Sequence, residues 1–309
     1  MLFETAPATP TGIPSKVMFS PAPEWLIAAV CHAKRGQSAE KIQHTRGLLA
    51  GFGLSTVCET AACPNRGECF SSGTATLLIL GDICTRGCAF CAVHRGRPLG
   101  PPDESEPERL AQAARELGLR HVVVTSVTRD DLPDGGAHHY GKVAEALRSF
   151  CPDVKVELLV PDFWGSGKAL ATVLAHGPDI LAHNIETVPR LYSVVRKGAD
   201  YQRSLTLLKK AKEISADVIT KSGLMLGLGE ENSEVEQVLR DLAEAGCDVL
   251  TLGQYLAPSL GHAPVTRYVT QGEFDALHQE ALRIGFKSVA AGPLVRSSYK
   301  AAAFFEDLG

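Results

Sequence analysis

From Thr74 onward, short apolar runs rich in β-branched residues alternate with longer stretches whose apolar positions recur every three or four residues. The runs are ATLLILG, HVVVTSV, VKVELLV, DILAHNI, VITKSGLML and DVLTLGQY, with a shorter SVAAG near the end. Between them lie EPERLAQAARELG, GKALATVLAHG, RSLTLLKKAKE and SEVEQVLRDLAEAG. In the last of these, Val235, Val238, Leu239 and Leu242 share one helical face, and Ser233 with Glu236 reads as a capping box. Near-continuous apolar strands separated by amphipathic helices predict an α/β fold, a parallel sheet covered by helices. Six or seven such units suit a barrel, complete or partial, better than a small open sheet. Periodicity alone does not separate a barrel from a doubly wound sheet.

Before Thr74 the pattern differs. Residues 1–23 are rich in Pro, Thr and Ala without a period, which predicts a mobile arm. PEWLIAAVCHAK and SAEKIQHTRGLLAGFG then read as helical up to about Leu54. No repeat, low-complexity block or interdomain linker interrupts the chain. The expected organisation is an arm (1–23), an N-terminal extension (24–73), a barrel (74–285) and a C-terminal extension (286–309).

Composition adds mainly exclusions. A chain of 309 residues with 45% hydrophobic and 21% charged residues is of ordinary soluble, globular type. A formal charge of -4 argues against a nucleic-acid partner, which a basic face would mark. The apolar run WLIAAVC is far too short to span a membrane, and the start lacks the ordered regions of a secretory signal. The expected location is the cytoplasm, with no membrane association.

The cysteines change the picture. Six of the nine lie between Cys58 and Cys91, while Cys31, Cys151 and Cys247 are scattered. Clustering in a presumed reducing compartment favours metal ligation over disulfides. Cys151 and Cys247, beside helix–strand junctions, read as small buried hydrophobes. CETAACPNRGECF spaces Cys58, Cys63 and Cys69 as C-x4-C-x5-C; GDICTRGCAFC spaces Cys84, Cys88 and Cys91 as C-x3-C-x2-C. A tetrahedral metal or a cubane cluster takes four ligands, and each group supplies three. The second group follows directly on ATLLILG, and loops at the carboxyl ends of barrel strands hold active sites. Three thiolates there hold three irons of a four-iron cluster and leave one iron open, with Phe90 placed to pack against whatever binds it. The competing reading is a zinc site completed by His94, but zinc more often takes paired C-x2-C knuckles.

C-x3-C-x2-C after the first barrel strand resembles the radical S-adenosylmethionine (SAM) enzymes. With the upstream C-x4-C-x5-C, the chain resembles the lipoyl synthase family. The likeness continues in TATLLILGDICTRGCAFCAV, SVTRDDLPDGGAHHY, LVPDFWG, HNIETVPRLY, KSGLMLGLGE, LTLGQYLAPS and AGPLVRSSYKA, from about Thr56 to Ala301. It departs after PEWL, where many relatives carry a basic R-x-K-L-P segment and this chain reads IAAVCHA, with Cys31 among the divergent residues.

The resemblance implies a partial (β/α)6 TIM-type barrel with N- and C-terminal extensions, two 4Fe-4S clusters and SAM. Cys84, Cys88 and Cys91 would hold the reducing cluster, whose open iron is chelated by SAM's amino and carboxylate groups. Reductive cleavage then gives methionine and a 5′-deoxyadenosyl radical able to take hydrogen from an unactivated methylene. Cys58, Cys63 and Cys69 would hold an auxiliary cluster that gives up sulfide to two carbons of a protein-bound octanoyl chain. The family completes that cluster with a serine of RSSY, here Arg296, Ser297, Ser298 and Tyr299. Resemblance favours Ser298; spacing alone does not choose between the two serines. An alkoxide is a harder donor than thiolate and leaves iron more easily, which suits a cluster that is dismantled. Implied partners are octanoylated carrier domains (E2 subunits of 2-oxoacid dehydrogenases, the glycine cleavage H protein) and an electron donor such as flavodoxin or ferredoxin.

Weaker signals surround these. TSVTRDDLPDGG offers Asp130 and Asp131, with Gly135 and Gly136 to let backbone approach a ligand, or simply a polar turn. Asn184 and Glu186 end DILAHNIE at the mouth, within reach of the SAM ribose or amino group, or as caps. Arg196 is a partner for the SAM carboxylate, or a helix-surface arginine. Met225 and Gly227 suit a close apolar approach, although a methionine there is more often core, and His183 reads as a satisfied histidine. Competing functions are another radical SAM sulfur-inserting enzyme, of biotin synthase or tRNA methylthiotransferase type, or a non-catalytic iron–sulfur or zinc protein.

Overall fold

The computed structural model describes residues 21–33, 38–61, 63–71, 75–299 and 301. The expected arm therefore lies outside the described residues except for 21–23, as does the end of the C-terminal extension. The N-terminal extension forms helices α1 (Glu24–Ala33) and α2 (Ala39–Gly51), a short strand β1 (Ser55–Thr56), and the small helices α3 (Val57–Thr60) and α4 (Arg66–Ser71). Seven strands follow the expected apolar runs: β2 (Thr76–Ile79), β5 (His121–Ser126), β6 (Lys155–Leu159), β7 (Ile180–Ala182), β8 (Ile219–Leu226), β9 (Val249–Gln254) and β10 (Ser288–Gly292). They pair in chain order and parallel throughout, with β1 antiparallel on the outer edge of β2. Strands β3 (Ile83–Cys84) and β4 (His94–Arg95) make a separate parallel ladder within the loop after β2.

The sheet is a partial barrel. Its first six parallel strands are the expected β/α units, and β10, from the C-terminal extension, adds a seventh beside β9. The edges at β2 and β10 do not pair with each other. The covering helices are α5 (Glu106–Glu116), α6 (Ala137–Phe150), α7 (Gly167–Leu174), α8 (Tyr192–Val195), α9 (Tyr201–Ile214), α10 (Asn232–Glu244) and α11 (Gln271–Ile284). Apolar faces of these helices and the strands form two large cores, one around β2, β5 and β6, the other around β8 and β9. Each fully buried Val or Leu contributes about 1.5–3 kcal/mol, so this burial dominates the fold.

Three local expectations change. Val235, Val238, Leu239 and Leu242 are buried, but α10 starts at Asn232, one residue before Ser233. Its reciprocal cap is made instead by Glu234, whose carboxylate accepts the Glu231 N–H at 2.8 Å. Gly135 and Gly136 approach protein rather than ligand. A Cβ on Gly136 would fall 2.4 Å from Leu80, and both residues take positive φ to start α6. Gly227 likewise admits Gln254 and the Arg267 carbonyl, which would lie 2.3 and 2.5 Å from a Cβ.

Candidate active site

The loop carrying Cys84, Cys88 and Cys91 leaves the carboxyl end of β2 and is tied to elements on every side. The Thr85 N–H and hydroxyl both donate to the Thr128 carbonyl at 3.0 Å, and Thr85 Oγ1 accepts the Asp130 N–H at 3.1 Å. Ala89 donates to Val195 and accepts from Ala263, both at 2.8 Å. His262 Nε2 lies 3.2 Å from the Cys91 carbonyl. Arg86, inside the cysteine motif, donates to both oxygens of Asp130 at 2.8 and 2.9 Å and to Asp162 at 2.6 Å. Asp130 thus braces the cysteine loop through Arg86. Burial alone would raise the Asp162 carboxyl, yet Arg86 brings it down to about 2.

Within this frame the three thiols lie close enough for Cys84 and Cys91 to disfavour ionisation of Cys88. Cys84 Sγ accepts backbone N–H groups from Arg86 and Thr128, each at 3.4 Å. Burial pushes Cys88 up to about 12, despite the charge of Arg196, and raises Cys91 as well. Such thiols ionise when a metal centre takes the place of the proton.

Arg196 is not a surface arginine. It turns inward, donating to Tyr192 Oη and Ser204 Oγ, both at 3.0 Å. Burial works against its charge, but Tyr192, Glu186 and Cys88 together hold its pKa above the ordinary value. Glu186 follows β7 with φ of 66°, a left-handed backbone that a β-carbon residue adopts only under constraint. Burial raises its pKa, while Arg196 and an N–H bond from Asn184 Nδ2 at 3.0 Å oppose that rise. His183 is satisfied by Val160 O at 2.8 Å and Ser204 Oγ at 3.0 Å. Phe90 packs with Met225 against a small apolar cluster of Val195, Leu228, Tyr255 and Ala263, beside the cysteine loop. Asn184, Glu186, Arg196 and Cys88 are thus linked by a hydrogen bond and by charge, Phe90 lies in the apolar cluster with Val195, and Asp130 is joined to the cysteine loop through Arg86.

The first triplet lines a small cavity bounded by Cys58, Cys63, Cys69, Thr76, Arg296 and Ser298. Thr56 caps α3 through the Glu59 N–H, which sets Cys58 facing inward. Cys63 donates its N–H to the Cys58 carbonyl at 3.1 Å, and Cys69 donates to the Asn65 carbonyl at 3.0 Å. The C-terminal segment forms the opposite wall. Asn65 Nδ2 donates to Leu294 O at 2.7 Å, Tyr299 Oη donates to the Glu68 carboxylate at 3.0 Å, and Thr76 Oγ1 donates to Ser298 Oγ at 2.6 Å.

The two serines diverge. Ser298 borders this cavity, whereas Ser297 Oγ donates to Asn184 Oδ1 at 3.0 Å on the other side. Burial pushes Cys69 up to about 12, with Cys58 and Cys63 adding repulsion, and raises Cys58. Among the described residues no carboxylate pairs with Arg296, whose guanidinium stands beside Cys63. The buried carboxamide oxygen of Asn65, which lines the cavity, lacks a hydrogen-bond partner. Three thiols and a guanidinium with no carboxylate partner among the described residues fit an anionic iron–sulfur cluster. Among the described residues no three His, Cys, Asp or Glu side chains close on a point fit for a single metal ion, and His94 is exposed.

Several of these groups were not legible as site residues. Arg86 lay inside the motif, and Asp162 ends β6 as Asn184 ends β7, so the same strand-end reasoning applies to it. Thr76 and Asn65 carry no sequence signal of their own.

The radical SAM superfamily profile matches residues 78–242. The chain is 54% identical over 279 residues to a lipoyl synthase of Caldanaerobacter subterraneus subsp. tengcongensis, covering 90% of this chain and 95% of that one. It is 56% identical over 280 residues to a lipoyl synthase of Nitrosococcus oceani, covering 90% and 84%. Among solved structures it is similar in fold to HydG, a maturase of the [FeFe]-hydrogenase, with a TM-score of 0.53 and 13% identity over 86% of this chain and 71% of that one. The chain belongs to the radical SAM superfamily and, within it, to the lipoyl synthase family.

Proposed function

We propose that this chain inserts two sulfur atoms into an octanoyl group carried on a lysine of a lipoyl-carrier protein, giving the lipoyl group. The observation that carries the reading is the pair of three-thiol sites at one end of a barrel, in a chain more than half identical to lipoyl synthases. In this reading Cys84, Cys88 and Cys91 hold the cluster that binds SAM, and Cys58, Cys63, Cys69 and Ser298 hold the auxiliary cluster. When bound, these groups supply hydrogen abstraction from an unreactive methylene and the sulfur that replaces it.

The chain's own residues bind, orient and exclude. Arg196 offers the guanidinium for a carboxylate, and Glu186 and Asn184 offer acceptors for an amino group or ribose hydroxyls. Phe90 and Met225 make an apolar wall that keeps water from the reacting carbons. Arg86, fixed by Asp130 and Asp162, holds the cysteine loop in place and takes no part in proton transfer. Across the mouth, Thr76 donates to Ser298 Oγ and so stabilises the oxygen when it is anionic.

Suitable carriers are E2 domains of 2-oxoacid dehydrogenases and the glycine cleavage H protein, with flavodoxin or ferredoxin as one-electron donor. The reading places the reaction in the cytoplasm; no described helix is long and apolar enough to cross a membrane. It also divides the chain into arm (1–23), auxiliary-site extension (24–73), barrel (74–285) and C-terminal extension (286–309). Mass spectrometry of an octanoyl-lysine peptide incubated with reconstituted, reduced enzyme and SAM tests the reading. Gain of two sulfurs with loss of two hydrogens is expected, and a fully loaded protein giving no sulfurised product overturns it.

A further inference from the structure

Ser297 and Ser298 are neighbours in sequence but serve different spaces. Ser298 faces the auxiliary cavity and accepts from Thr76, while Ser297 reaches Asn184, 113 residues away. The polarity of the Ser297 contact is fixed by what lies beyond it. Glu186 accepts from Asn184, so the amide nitrogen faces the carboxylate and the amide oxygen faces Ser297. Ser297 must therefore donate. The result is a one-directional chain, Ser297 to Asn184 to Glu186, ending beside Arg196 and Cys88.

Two glycines built into adjacent strands make room for it. A Cβ on Gly223 of β8 would lie 2.9 Å from Asn184 Oδ1 and 2.8 Å from Thr251 Oγ1. A Cβ on Gly253 of β9 would lie 2.2 Å from the Val295 carbonyl oxygen. The first seats the Asn184 amide, and the second lets the C-terminal segment press onto the barrel.

We propose that Ser297 is a positioning residue that couples the SAM-side pair Asn184–Glu186 to the segment carrying Ser298. This rests on the roles given above to Ser298 and to Asn184–Glu186. Any ligand that reorients the Asn184 amide moves the hydroxyl bonded to it, and the next residue along is the oxygen of the auxiliary site. Occupancy of one site and the state of the other are then linked, and the linkage runs both ways.

The test is a double-mutant cycle read by SAM binding rather than by turnover. The SAM dissociation constant is measured by equilibrium dialysis on chains loaded with their clusters: the parent, Ser297→Ala, Cys63→Ala, and the double variant. Ser297→Ala is expected to weaken SAM binding roughly three- to ten-fold, the effect of one lost hydrogen bond. Ser297→Thr, which keeps the donor, is expected to restore it. Cys63→Ala, which disables the auxiliary site, should shift SAM affinity when Ser297 is present and leave it unchanged when Ser297→Ala is also present.

Parental SAM affinity in Ser297→Ala overturns the proposal, as do strictly additive effects in the cycle. A Ser297→Ala chain that loses auxiliary iron but keeps parental SAM affinity gives the hydroxyl only a structural role, which also overturns it. If Ser298→Ala leaves the iron content and spectrum of the auxiliary site unchanged, the ligand assignment beneath the proposal has failed instead. A loaded parent that does not bind SAM removes both.

Discussion

The carbonyl oxygen of Val295 occupies the place where a side chain on Gly253 would begin, 2.2 Å from an ideal Cβ. Strand β9 and the C-terminal segment are thereby in backbone contact, and the wall of the auxiliary cavity follows from that contact. Gly253→Ala forces the segment outward. Overpacking of this kind costs about 1–3 kcal/mol. The expected outcome is a lower melting temperature, with roughly half of about eight irons lost if each site holds a four-iron cluster. Iron analysis beside a thermal melt checks it; full iron content would show that the segment is not set by this contact.

Thr76 Oγ1 donates to Ser298 Oγ at 2.6 Å. Thr76→Val keeps the shape and removes the donor. One hydrogen bond of about 1 kcal/mol corresponds to a roughly five-fold change. Auxiliary iron is expected to be stripped by a chelator about five times faster. Unaltered stripping would show that the Thr76 hydroxyl does not support the ligand oxygen.

The two thiol sites predict divided labour. Cys84→Ala is expected to abolish reductive cleavage of SAM, measured as 5′-deoxyadenosine release. Cys63→Ala is expected to retain most of that release and to end sulfur transfer to the octanoyl peptide. Identical behaviour of the two variants would contradict separate roles.

His183 gives a pH signature. Burial first, and then the nearby Arg196, push its pKa down to about 3. The folded chain therefore keeps His183 neutral while the unfolded chain protonates it at about 6.5. Stability is expected to fall as pH drops through the window from about 6.5 to about 3, because the unfolded state binds the extra proton. Asp162, held at about 2, adds a loss from about 4 downward as its pairing with Arg86 is titrated away. Denaturant midpoints across this range should show His183→Gln flattening the upper part of the slope and leaving the lower part. An unchanged slope would place the acid sensitivity elsewhere.

The readable part of the sequence was the part written in local pattern. Val122, Val123 and Val124 or Leu224 and Leu226 announce buried strands because a parallel strand covered by helices needs little polar alternation. Helix α6 was not among the helices read, since AHHYGKV mixes two histidines and a glycine into its first turns. His139 is accounted for by a long-range partner, Glu106 at 2.7 Å, while His138 is exposed. Both cysteine triplets were legible from spacing. The partners that complete their surroundings were not. Arg86–Asp162 spans 76 residues and Thr76–Ser298 spans 222, and no local rule connects such positions. Asp130 is another case: its strand-end place is legible, but its pairing with an arginine 44 residues earlier is not.

The parallel sheet stops at β2 on one side and β10 on the other, and no backbone ladder joins those edges. What spans the gap is a short row of side chains: Thr76 with Ser298, Asn65 with Leu294, and Glu68 with Tyr299. The cavity of the first cysteine triplet lies along that row, so the side chains that close the barrel's open seam are also the ones that wall this cavity. A change that parts the seam therefore unroofs the cavity as well.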